Sequence, residues 1–116
     1  MQISIVAGGF TLTGAIRSHV DRRMRFALGR FSGRIEHVRI ALGDENGPKG
    51  GLDKTSRVRV GLCGLREVLV EQIDSDIYAA IDRAADRVGR IIARRLDRAF
   101  TVERALPTSE PPTEEL

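Results

Sequence analysis

Two short segments limit what this chain can fold into: IEHVRIAL at 35–42 and RVRVGL at 57–62. Apolar residues occupy every second position, Val38, Ile40 and Leu42 in the first and Val58, Val60 and Leu62 in the second. Successive strand side chains point to opposite faces, so a period of two describes a sheet with one apolar and one polar face, covered on a single side. The connection between them, GDENGPKGGLDK at 43–54, is rich in turn residues and joins antiparallel neighbours. The remaining chain must cover the apolar face.

The flanking segments have the period to do so. QISIVAG at 2–8 is a short strand rich in β-branched residues, ending at Gly8-Gly9. Thr11 or Thr13 can then cap a helix by accepting from an unpaired backbone N–H. Ile16, Val20, Met24, Ala27, Leu28 and Phe31 recur at helical spacing and form its core face, and Ser32-Gly33 stops it. After the turn at Gly64, EVLVEQI at 67–73 is a fourth strand, and Asp74 or Ser75 caps a second helix. That helix gathers Ile81, Ala84, Val88, Ile91 and Ile92 on one face. The fold class is α+β: a β-α-β-β-β-α order, with two helices packed on one face of a four-stranded sheet.

The second helix also carries arginine at 83, 87, 90, 94 and 98. With residues advancing ~100° each, these return to one side and form a single ridge. Asp82, Asp86 and Asp97 lie mainly on one flank, so the ridge is not neutralised along its length. On the first helix Arg22, Arg23 and Arg30, with His19, lie away from the core face, and Arg25 is on the outer face. A charged helical face is usually just solvated. These patches act together only if the two helices lie side by side.

Composition agrees with a cationic partner surface. The formal net charge of +3 understates the first 100 residues, because residues 101–116 hold Arg104 against Glu103, Glu110, Glu114 and Glu115, which leaves +6 on residues 1–100. Lys49 and Lys54 are the only lysines. Guanidinium groups make bidentate contacts with phosphate and stack on bases, which favours a nucleic-acid partner, although coding bias toward arginine leaves the same mark. The 116 residues make one domain, assigned to 1–102, followed by an acidic, proline-containing tail at 103–116 that is expected to be disordered. No apolar run approaches the ~18 residues of a membrane span, and MQISIVAGGF lacks the basic flank of a secretory signal, so the expected location is the cytoplasm.

Catalytic chemistry finds little support. Cys63 is the only cysteine and reads as a packed strand side chain; His19 and His37 have no partner at a ligating spacing. GPKGG at 47–51 lacks the spacing and the following helix of a phosphate loop, so it reads as a hairpin connection. Tyr78, near a helix start, reads as a packing residue. No nucleophile, base and orienter combine. The expectation is a protein that is not an enzyme and needs no cofactor or metal.

The segment DSDIYAAIDRAADRVGRIIARRLDR resembles the ribosome hibernation promoting factor family, also called ribosome-associated inhibitor or sigma-54 modulation proteins. The resemblance rests on Asp76, Tyr78-Ala79-Ala80-Ile81-Asp82 and Asp86-Arg87, with basic residues at Arg90, Arg94 and Arg98. MQISI, Thr13, Ala15-Ile16-Arg17, Val20 and Phe31 before Arg34-Ile35 extend it over residues 1–100. It implies a β-α-β-β-β-α domain similar to double-stranded RNA-binding domains, which binds the small ribosomal subunit in the channel of messenger and transfer RNA. Translation would thereby be blocked and idle ribosomes preserved under stress or in stationary phase. The implied rRNA-binding residues are Arg22, Arg23, Arg25, Arg30, Arg87, Arg90, Arg94 and Arg98. Helical geometry adds Arg83 and Arg95.

Three departures stand out. The 43–54 connection looks longer than the family's usual one, and spacing around Arg23 to Arg30 is shifted by about one residue. The chain also ends without the second domain of the long forms, so the resemblance implies a short form that does not pair ribosomes by itself and leaves room for a separate ribosome-dimerising factor. Two other readings remain from the residues alone. One is a regulatory protein-binding module acting on a transcription or signalling partner; the other is a generic RNA-binding module.

Overall fold

The computed structural model describes residues 1–44 and 53–105. Most of the 43–54 connection, and the tail beyond Ala105, lie outside the described residues. The elements are β1 (Gln2–Gly8), α1 (Gly14–Leu28), a 3-10 turn (Gly29–Arg34), β2 (Ile35–Asp44), β3 (Lys54–Leu62), β4 (Val68–Asp74) and α2 (Ile77–Ala105). The second helix thus runs past residue 102.

The four strands form one sheet in the order β1-β2-β3-β4. β1 runs parallel to β2, with α1 as the crossover that a parallel pair requires, and the other two pairs are antiparallel. β2 and β3 extend beyond their alternating apolar segments because Gly43↔Thr55 and Asp44↔Lys54 continue the ladder. Backbone hydrogen bonding, rather than an apolar pattern, makes that extension.

Alternation decides what is buried. Val38, Ile40, Leu42, Val58, Val60, Val68 and Val70 point toward the helices and join one core, each no more than 4% exposed. The opposite face is open, with Val6 64% and Leu69 55% exposed. The sheet is therefore covered on one side by two helices, as the period of two demands.

Thr13 caps α1, its Oγ1 accepting from the Ile16 N–H at 3.2 Å. Ile16, Val20, Met24 and Leu28 are buried, while Ala27 and Phe31 are half-buried. The α-helix stops at Leu28, earlier than the Ser32-Gly33 expected from the sequence: Leu28 opens to φ −117° and ψ −5°, and Gly29, a weak helix former, follows it. Chain from Gly29 to Arg34 winds as a 3-10 turn and keeps Phe31 against the core.

The cap of α2 is Asp76 rather than Asp74 or Ser75. Its carboxylate accepts from the Tyr78 N–H at 3.1 Å, and its carbonyl from the Ala80 N–H at 3.0 Å. Asp74 is still paired with Lys54 in the sheet, and its Oδ1 accepts from the Ser75 and Asp76 N–H groups at 2.8 and 3.2 Å. Strand pairing displaces the cap and leaves Asp74 to tie the turn.

α2 lies on β3 and β4 and alongside α1. Ala80, Ile81, Ala84, Ala85, Val88 and Ile92 are fully buried, and Ile91 is half-buried. Burying a side chain such as Ile81 or Ile92 stabilises the fold by about 1.5–3 kcal/mol. Gly89 marks the close approach of the helices: a Cβ there would sit 3.3 Å from the Ala27 carbonyl oxygen. No helix among the described residues is long and apolar enough to cross a membrane.

Candidate nucleic-acid interface

Side-by-side helices bring the two basic patches together, but not all of their arginines. Three side chains meet in one groove of about 560 Å³ between α1 and α2: Arg30 from the 3-10 turn, and Arg90 and Arg94 from α2. Its floor is made of small residues, Ala27, Ala85, Gly89 and Ala93. The Arg30 guanidinium lies 4.6 Å from the centroid of the Phe31 ring, which orients it by a cation–π contact. Arg30, Arg90 and Arg94 form no salt bridge to another described residue.

Two acids beside the groove, Asp82 and Asp86, are occupied by α1. Arg23 Nη2 is 3.0 Å from Asp86 Oδ1, and its Nε is 3.0 Å from Asp82 Oδ1 without the alignment of a hydrogen bond. His19 Nε2 lies 2.7 Å from the same Asp82 oxygen. Asp82 and Asp86 therefore hold the helices together instead of neutralising the arginines further along.

The remaining expected residues divide. Arg83 turns to β4, with its Nε 3.5 Å from Asp74 Oδ2. Arg87 also turns there, donating to the Glu71 carbonyl at 2.9 Å and to Gln72 Oε1 at 3.1 Å. Arg95 donates to the Arg66 carbonyl at 2.9 Å. Arg25 pairs with Asp21 one helical turn away at 3.0 Å. Arg98 is exposed and has no salt bridge to another described residue. Arg22 faces a separate depression with Ile3, Ile5, Arg17, Ser18 and Asp21, so it does not share the groove.

The sequence reading passed over one residue of the groove. Phe26 sits at its mouth and is 82% exposed, the most exposed large apolar side chain among the described residues. Two positions past Met24 place it ~200° from the core face. A large aromatic at an off-period position, amid arginines, was the available signal.

The outer sheet face carries Arg39, Arg57 and Arg59, and is less cationic in effect. Arg57 pairs with Glu71 at 2.7 Å and Arg59 lies 3.6 Å from Glu67. The helical face is the more open cationic surface.

The fold and sequence have known counterparts. The N-terminal domain of Protein Y from Thermus thermophilus is 28% identical with a TM-score of 0.67, covering 81% of this chain and 98% of that one. A ribosomal subunit interface protein from Coxiella burnetii superposes with a TM-score of 0.70 at 16% identity, covering 84% of this chain and 99% of that one, and shows likeness of fold. No curated protein matches. A family model described as sigma 54 modulation protein / S30EA ribosomal protein matches residues 3–99, from β1 into α2. The match spans the sheet, both helices and the groove between them, and the chain belongs to the sigma 54 modulation protein / S30EA ribosomal protein family.

Proposed function

We propose that this chain is a ribosome-associated translation inhibitor that binds small-subunit rRNA in the channel of messenger and transfer RNA and promotes ribosome hibernation under stress. The observation that carries this reading is the groove in which Arg30, Arg90 and Arg94 converge without an acidic partner among the described residues, on a member of this family. Membership supports the ribosomal partner, and the 28% identical Protein Y domain agrees with it. Guanidinium groups with no salt bridge to another described residue suit phosphate, while paired RNA offers few readable base edges and so makes shape the main source of specificity.

The mechanism is occupancy. Arg90 and Arg94 stand one helical turn apart on α2, with Arg30 facing them across the groove, so the three can bind phosphates of one RNA segment. Arg98 extends this surface along α2, and Arg22 supplies cationic charge farther along α1, beside Arg25, whose charge is shared with Asp21. Arg23, Arg83, Arg87 and Arg95 hold the helices and sheet in place and act on RNA through that positioning. A domain so bound excludes messenger and transfer RNA sterically and needs no chemical step. The cytoplasm is the compartment in which that occupancy takes place.

The test is competition. Small subunits loaded beforehand with messenger and transfer RNA should exclude the protein, whereas empty subunits should bind it. Cell-free translation should stop in proportion to the occupied fraction. Equal binding to loaded and empty subunits would refute the channel.

A further inference from the structure

The groove contains a feature that phosphate binding does not require. Phe26 is 82% exposed at its mouth, with the Arg23 guanidinium 5.9 Å from the ring centroid. Exposing an aromatic ring to water leaves considerable apolar area uncovered, and such rings are common where a partner supplies the cover. The surrounding charges restrict the partner. Arg30, Arg90 and Arg94 line the same groove, and Asp86, its one lining acid, already faces Arg23.

We propose that Phe26 is a stacking platform for an unpaired nucleobase, with the flanking phosphates held by Arg30, Arg90 and Arg94. This deepens the ribosome-binding reading and rests on it. Single-stranded RNA offers a flat π-face beside a phosphate, the combination of apolar and anionic chemistry that this groove complements. A paired base inside a duplex keeps its face covered by its neighbours, so the occupant is a base from a loop, bulge or single strand. The small side chains of Ala27, Ala85, Gly89 and Ala93 leave the floor low enough for the base to enter beside the ring.

The chain contains no tryptophan, which provides a direct probe. Phe26→Trp places a lone indole at the groove, and its emission is followed during titration with oligouridine, with duplex RNA of equal length and with isolated small subunits. Stacking predicts quenching by the single strand and by small subunits, but not by the duplex. Phe26→Ala is predicted to weaken small-subunit binding about tenfold or more without altering its salt slope, since the lost contact carries no charge. The exposed position makes this substitution compatible with folding, which circular dichroism verifies.

Unchanged small-subunit affinity of Phe26→Ala, together with an indole unresponsive to single strands and subunits, would overturn stacking while the occupancy mechanism stands. Failure of the unmodified chain to bind small subunits would instead overturn the reading beneath it. Self-association that Phe26→Ala abolishes, with RNA affinity unchanged, would assign the ring to a second copy and also overturn stacking.

Discussion

His19 of α1 and Asp82 of α2 meet at 2.7 Å, Nε2 to Oδ1, with the Tyr78 ring edge-on to the imidazole at a centroid distance of 4.9 Å. This contact, with Arg23 beside it, sets the two helices against each other at the N-terminal end of α2. The cationic groove lies farther along the same helix pair. Asp82→Ala should lower stability by about 1 kcal/mol, as for a partly exposed charged hydrogen bond. Urea unfolding checks this, and an unchanged midpoint would mean that the pair contributes nothing to holding the helices.

Arginines of one ridge should behave differently. Arg94→Ala is expected to lower the slope of log affinity against log salt by about one, because an open guanidinium that binds a phosphate releases counterion. Arg87→Ala should leave that slope unchanged and lower stability by about 0.5–1.5 kcal/mol, through its lost hydrogen bonds to Glu71 and Gln72. Small-subunit binding across a salt series, beside urea unfolding of each variant, separates the two roles.

Gly89 sets the spacing of the helices. A Cβ would stand 3.3 Å from the Ala27 carbonyl oxygen and 3.5 Å from the Ala27 Cβ, a tight but small intrusion. Gly89→Ala should be close to neutral, because a helix-propensity gain of up to about 1 kcal/mol offsets the crowding. Gly89→Leu should cost about 1–3 kcal/mol and weaken small-subunit binding by separating Arg30 from Arg90 and Arg94. Thermal unfolding and subunit binding of the two variants provide the check.

The one-sided sheet predicts an asymmetry between its faces. Ile92, on α2, is fully buried in the core over the covered face, and Ile92→Ala should cost about 2–5 kcal/mol. Leu69 is 55% exposed on the open face, and Leu69→Ala should change stability by no more than about 0.5 kcal/mol. Comparable losses in denaturant titration would show that the outer face is covered in solution.

Much of this architecture could be read from residue spacing. The alternation through Val38, Ile40, Leu42 and Val58, Val60, Leu62 revealed the sheet and its single apolar face. Helical spacing identified Ile81, Ala84, Val88 and Ile92, and the Tyr78–Asp82 segment pointed to the family. The α2 cap escaped because pairing of Asp74 with Lys54 is a tertiary fact, invisible to local capping rules. The division of the arginine ridge escaped for a related reason. Counting residues puts Arg83, Arg87, Arg90 and Arg94 on one side, but β4 lies within reach of the first two and α1 borders the others. Phe26 was missed because periodicity excluded it from the core and nothing local assigned it another task.

Co-sedimentation with isolated small subunits over a salt series, for the unmodified chain and for Arg90→Glu with Arg94→Glu, tests the central claim most directly. Both side chains are exposed, so the charge reversal should leave the fold intact. The account predicts stoichiometric binding that weakens with salt at a log–log slope of roughly 0.7–0.9 per phosphate contact, and loss of binding in the double variant at moderate salt. Equal sedimentation of the two proteins at every salt concentration would contradict it.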